Sequence, residues 1–124
     1  MTTPSLQGIR VLIVEDNYVV AEALKYVIDG YQGSQSTIVP NLARAFEVLA
    51  ASRVDIAVLD INLNGTSVVP LADHLHAQGI PFVFLTGYGD DDVLPPHLRG
   101  QPLFEKPVEA ERLVRAIVEA LGRS

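Results

Sequence analysis

Four strand-like segments of this 124-residue sequence end in polar or ionisable residues. Ile9 to Val14 runs into Glu15-Asp16, Val54 to Leu59 into Asp60, Pro81 to Leu85 into Thr86, and Gln101 to Glu105 into Lys106. Any one of these residues is what an ordinary solvated strand end carries; the set is more specific. Three carboxylates gathered on one rim would repel and raise at least one pKa unless a cation lay among them. The economical cation is hard and oxygen-seeking, Mg²⁺ first and Mn²⁺ after it, held by one or two carboxylates, waters and a phosphate oxygen. A carboxylate facing such an ion, a hydroxyl and a lysine can act as a nucleophile on phosphorus. The cations neutralise charge on the phosphoryl oxygens and the hydroxyl binds one of them. The residues therefore point to an aspartyl-phosphate site with Asp60 as acceptor.

Those residues can meet only if the strands lie side by side and parallel. Strands are predicted over Ile9–Val14, Ser34–Val39, Val54–Leu59, Pro81–Leu85 and Gln101–Glu105, separated by helical patterns. Asn17 caps a first helix with Val19, Val20, Ala23, Leu24, Val27 and Ile28 as its apolar stripe and Gly30 at its end. Pro40-Asn41 opens a second helix with Leu42, Ala45, Phe46 and Leu49 inward. Asn62-Leu63-Asn64-Gly65 is turn-rich. Thr66 or Ser67 would then cap a third helix carrying Pro70 in its first turn and Gly79 at its end. The last helix runs from Glu109 to Leu121, with Leu113, Ala116, Ile117, Ala120 and Leu121 inward and Gly122 closing it. Between the fourth and fifth strands, Pro95-Pro96 limits residues 88–100 to a turn or two of helix. This alternation predicts an α/β, flavodoxin-like doubly wound fold: a five-stranded parallel sheet in the order 2-1-3-4-5, with helix 4 shortened or irregular. In such sheets ligands bind outside the carboxyl ends of the strands, at the switch point between strands one and three.

Composition narrows the function classes. Fifteen acids face nine bases for a net charge of -6, and only Lys25 and Lys106 are lysines. That balance speaks against nucleic-acid or anionic-membrane partners. With no cysteine, disulfides and thiolate chemistry are excluded. The start of the chain lacks the pattern of a secretory signal, and no apolar run approaches the ~20 residues of a membrane span. The expectation is one cytoplasmic domain over 1–124, with its core from about 9 to 121, as a monomer or weak dimer.

The constellation Glu15-Asp16, Asp60, Thr86 and Lys106-Pro107 resembles the receiver domain of two-component response regulators (CheY-like), over about Ile9 to Leu121. The resemblance implies a single-domain response regulator in a phosphorelay. Glu15 and Asp16 would hold Mg²⁺ directly or through water, together with Asp60 and the backbone carbonyl of Asn62. Asp60 would take a phosphoryl group from a histidine kinase, Thr86 would bind and report it, and Lys106 would pair with it. The Lys106–Pro107 bond would be cis. Pro81-Phe82-Val83-Phe84-Leu85-Thr86-Gly87-Tyr88-Gly89 is closer still to the "F-A-T-G" subgroup, with Leu85 in place of the alanine. Gly65 and Pro70-Leu71-Ala72 fit that subgroup, whose members often stand alone and often work with HWE-type kinases. Such a protein is a phosphoprotein with slow autodephosphorylation rather than a turnover enzyme. It signals by protein contact or phosphate hand-off to a downstream partner that the sequence does not name.

The sequence also departs from the usual receiver pattern. The position of the usual switch aromatic is Leu103, and Phe104 falls on the opposite strand face. Ordering of residues 88–100 on phosphorylation is the expected substitute, with Asp90 to Asp92 beside the site. Asn62 and Tyr88 would flank the path of an attacking water and tune the phosphoryl lifetime. His74 and His76 do not share a helix face, and His97 has no evident partner. Two other readings stand beside the receiver. A haloacid-dehalogenase-type phosphatase would need an acid where Asn62 stands. A degenerate receiver scaffold would not need the complete acid, threonine and lysine set.

Overall fold

The computed structural model describes residues 8–30, 34–87, 94–106 and 108–122. Its elements are β1 (Arg10–Val14), α1 (Tyr18–Asp29), β2 (Gln35–Val39), α2 (Leu42–Ala51), β3 (Ile56–Asp60), β4 (Asn62–Leu63), β5 (Thr66–Ser67), α3 (Val69–Ala77), β6 (Phe82–Thr86), β7 (Leu103–Glu105) and α4 (Ala110–Ala120). The main sheet has the order β2-β1-β3-β6-β7, and every pairing in it is parallel. With β6 and β7 as the fourth and fifth predicted strands, this is the expected doubly wound order.

Alternation along the strands builds two cores. Leu12, Val14, Ala57, Leu59, Phe82 and Phe84 pack with Ala45, Leu71, Ala72 and Leu75 of α2 and α3. Val11, Ile13, Ile56, Val58, Val83 and Leu85 pack with Ala21, Leu24, Ile28, Leu113, Val114 and Ile117 of α1 and α4. β3 and β6 are buried along their whole length. This is why their sequences are nearly continuous apolar runs, interrupted only where Asp60 and Thr86 reach the rim.

The predicted Asn17 cap forms, its Oδ1 accepting from Val20 N–H at 3.2 Å. Asn41, at the predicted opening of the second helix, caps it in the same way, its Oδ1 accepting from Arg44 N–H at 2.9 Å. Gly79, at φ 73°, ends α3. Its N–H reaches the His76 carbonyl, and the Ile80 N–H reaches that of Leu75, so two otherwise unpaired carbonyls are satisfied.

Several expectations need correction. Thr66 and Ser67 do not begin α3: they form β5, which pairs antiparallel with β4 in a small hairpin. Helix α3 starts at Val69, whose N–H donates to Ser67 Oγ at 3.2 Å. The buried stripe of α1 is Ala21, Leu24 and Ile28, whereas Val19 and Ala23 are exposed. The helix meets the sheet through its small alanine, which turns the buried face away from where the bulky valines alone would put it. In α4, Val114 and Val118 join Leu113 and Ile117 in the core. Strand β7 is three residues long, shorter than the predicted segment.

In the fourth crossover, the described residues hold a single 3₁₀ turn, Pro96–Leu98. Leu94 and Leu98 are buried against the α2–α3 side and stand in for a longer helix. His97 does have a partner: its Nε2 lies 2.8 Å from Asp73 Oδ1 on α3.

Candidate functional site: an acidic pocket at the sheet switch point

The chain ends of β1, β3, β6 and β7 meet on one rim, because the register pairs Asp60 with Leu85 and Thr86 with Glu105. The Ile61 N–H donates to the Leu85 carbonyl, and the Lys106 N–H donates to that of Thr86, both at 2.9 Å. The ladder thus continues just past the last strand residues and fixes the backbones from which Asp60 and Lys106 project.

Glu15, Asp60 and Thr86 are buried, at 1%, 2% and 2% exposure, while Asp16 is exposed. Lys106 reaches over them. Its Nζ is 2.5 Å from Glu15 Oε1 and donates to Asp60 Oδ2 at 3.0 Å. Asp60 Oδ1 accepts the Asn62 N–H at 3.2 Å. Thr86 Oγ1 donates to the Gly87 carbonyl at 2.9 Å. Carboxylate oxygens of Glu15, Asp16 and Asp60 lie within 4.8 Å of one another.

The electrostatics are unfinished. Burial, followed by close contact with the Asp60 carboxyl, pushes the Glu15 carboxyl up to about 7 against the opposing pull of Lys106. Burial works against the charge on Lys106, but hydrogen bonds to Glu15 and Asp60 outweigh it and hold the ammonium above its ordinary value. Neither Glu15 oxygen makes a well-directed hydrogen bond, although Oε1 touches Lys106 as an ion pair. A buried Glu15 Oε2 with no partner and an Oε1 paired only with Lys106, beside two further carboxylates, match the donor set of a hard divalent cation.

The structure therefore brings Glu15, Asp16, Asp60, Thr86 and Lys106 together, with the Asn62 backbone at the same place. Tyr88, Pro107 and Asp90 to Asp92 lie outside the described residues. Leu103, at 39% exposure, does not fill the sheet interior, and Phe104 packs on the α1–α4 side with the Arg112 guanidinium 5.9 Å from its ring centre. One element beside the site was not anticipated from the sequence: the hairpin that follows Asp60. Its signal was present as Asn64-Gly65, the dipeptide that favours a two-residue hairpin turn.

Residues 11–118 match the family model of the response regulator receiver domain. The chain belongs to that family. Among solved structures it is similar to the solution structure of SdrG from Sphingomonas melonis Fr1, with 30% identity, TM-score 0.79, and 97% and 98% of the two chains covered. A response regulator receiver protein from Burkholderia phymatum shares the fold at 22% identity and TM-score 0.78, covering 94% of this chain and 97% of that one. A putative response regulator from Chloroflexus aurantiacus J-10-fl does so at 24% identity and TM-score 0.80, with 94% and 100% covered. No curated protein matches the chain. Membership of the family carries two-component signalling with phosphorylation on an aspartate, and no described helix is long and apolar enough to cross a membrane.

Proposed function

We propose that this receiver takes a phosphoryl group on Asp60 in a Mg²⁺-dependent reaction and passes the signal on by protein contact or phosphate hand-off. The observation that carries the reading is Lys106 Nζ set between Glu15 and Asp60, two buried carboxylates that would otherwise repel. A carboxylate oxygen of Asp60 attacks the phosphorus of a phosphohistidine. The new O–P bond forms as the N–P bond breaks, and the kinase imidazole leaves with the electron pair. Lys106 then moves its charge from the carboxylate toward the incoming phosphoryl oxygens. The Thr86 hydroxyl, which donates to the Gly87 carbonyl in this state, turns to a phosphoryl oxygen. When bound by Glu15, Asp16, Asp60 and the Asn62 carbonyl, Mg²⁺ (or Mn²⁺) supplies charge neutralisation at the same oxygens.

The cognate donor on this reading is a histidine kinase of HWE type, the location is the cytoplasm, and the protein is a phosphoprotein rather than a turnover enzyme. Asn62 and Tyr88 are the candidates for setting the phosphoryl lifetime. Intact mass after treatment with acetyl phosphate tests the reaction. The gain of one phosphoryl group should require Mg²⁺, vanish with chelator and vanish in Asp60→Asn. A gain that survives Asp60→Asn, or multiple turnover of a phosphomonoester, contradicts the proposal.

A further inference from the structure

The segment after Asp60 is tied down by both burial and hydrogen bonds. Ile61 and Leu63 are buried and alternate with exposed Asn62. The chain then reverses through Asn64 at φ 54° and Gly65 at φ 85°, and β5 returns with Asn62 opposite Ser67 and Leu63 opposite Thr66. Two consecutive residues with positive φ define the primed turn whose twist suits a tight hairpin, and Asn-Gly is the sequence that adopts it most readily. The Asn62 side chain closes the turn: its Oδ1 accepts the Gly65 N–H at 2.9 Å. That same residue donates its backbone N–H to Asp60 Oδ1.

Leu63 and the flanking Ile61 and Val68 anchor the hairpin in the core. A recess of about 330 Å³ lies against its exposed part, lined by Asn62, Gly65, Thr66, Ser67, Val69 and Leu94. The orientation of the Asn62 peptide therefore rests on the hairpin's own hydrogen bonds and on the buried Leu63. We propose that the Asn64-Gly65 hairpin is a positioning device for the acceptor carboxylate, with Asn62 its positioning residue. The turn fixes the Asn62 side chain, the side chain fixes the peptide, and the peptide N–H fixes Asp60 Oδ1. Asp60 is thereby held between two donors, Asn62 N–H on one oxygen and Lys106 Nζ on the other. The inference builds on Asp60 as the reacting group of the proposed function.

Backbone variants of the turn provide the test. Asn64→Ile and Gly65→Val both disfavour positive φ, whereas Asn64→Gly tolerates it. Free Mn²⁺ read by electron paramagnetic resonance gives the affinity of the carboxylate cluster, and hydrogen exchange reports the Asn62 amide directly. Asn64→Ile and Gly65→Val should weaken Mn²⁺ binding about tenfold and speed exchange of the Asn62 N–H, with Asn64→Gly within about twofold of the parent. If a turn variant fails to fold, Asn62→Ala, which deletes only the side-chain clamp, should weaken Mn²⁺ about threefold while leaving the thermal midpoint within a few degrees. Unchanged Mn²⁺ affinity and unchanged Asn62 exchange in these variants overturn the proposal. A parent protein that binds Mn²⁺ but takes no phosphoryl group from acetyl phosphate overturns the proposed function alone, because the hairpin is judged on metal affinity and exchange.

Discussion

The two lysines of this chain sit in clusters that look alike and behave oppositely. Lys25 on α1 pairs with Asp29 at 2.9 Å and donates to the Ser36 carbonyl at 2.7 Å. Asp29 Oδ1 in turn accepts both the Ser36 N–H and the Ser36 hydroxyl. Because the Gln35 N–H and the Val39 carbonyl bond to β1 and its extension, alternation turns the Ser36 backbone toward the open edge of the sheet. The Lys25–Asp29 pair therefore blunts that edge at Ser36, satisfying that residue's outward donor and acceptor and denying both to another strand. Around Lys106, by contrast, burial is deeper and satisfaction poorer. Glu15 is raised and short of donors, while Asp29, despite its own partial burial, is held below its ordinary value by Ser36 and Lys25. A cluster that serves the fold is complete in itself; the one at the rim leaves buried carboxylate oxygen of the kind a hard cation takes.

Removing each lysine should separate the two most sharply. Lys106→Met leaves two buried carboxylates without a cation and should cost about 3 kcal/mol in metal-free protein near pH 8, part of it restored by Mg²⁺. Lys25→Met, at a half-exposed pair, should cost less than about 1 kcal/mol and show no Mg²⁺ rescue. Denaturant unfolding with and without Mg²⁺ measures both.

Neutralising the acids should give effects of opposite sign. Asp29→Asn loses charge-assisted bonds to Ser36 and should destabilise by about 1.5 kcal/mol, with a greater tendency to associate through the opened β2 edge. Glu15→Gln removes a poorly satisfied buried charge and should stabilise metal-free protein by about 1 kcal/mol while weakening Mg²⁺ binding. Equal losses of stability in both would end the distinction between the clusters.

The pH dependence should split in the same way. Asp29 is depressed in the fold, so its contribution is present above its unfolded value of 3.8 and is lost as pH falls through the lower folded value. Glu15 is raised from 4.5 to about 7, so the folded state binds more protons across that window and stability declines as pH rises through it. Unfolding curves from pH 3 to 8 for the parent, Asp29→Asn and Glu15→Gln check both slopes. Mg²⁺ should stabilise more at pH 8 than at pH 5, because it binds the deprotonated cluster.

The sheet order and the rim residues were legible in the sequence, since both follow from period-two burial and from strands that end in polar groups. Asn17 was legible as a cap and Pro40-Asn41 as a helix opening, because a helix start is a local interaction with a local signature. The start of α3 was misplaced because Thr66 and Ser67 have the chemistry of caps as well as of strands. The Asn64-Gly65 turn ahead of them decides in favour of the strand. The inward face of α1 was misjudged because Ala21 is small, and burial of a small residue is dictated by how closely the sheet approaches. The Lys25–Asp29–Ser36 clamp and the His97–Asp73 pair join residues 11 and 24 apart in sequence. Only the tertiary fold brings them together.

Locating the phosphoryl group tests the central claim most directly. After treatment with acetyl phosphate and Mg²⁺, borohydride converts an aspartyl phosphate to homoserine, and peptide mass spectrometry then finds the altered residue. Homoserine is expected at position 60 and at no other aspartate. Modification at Asp16 instead, or an unaltered Asp60 in protein that has gained a phosphoryl group, would contradict it.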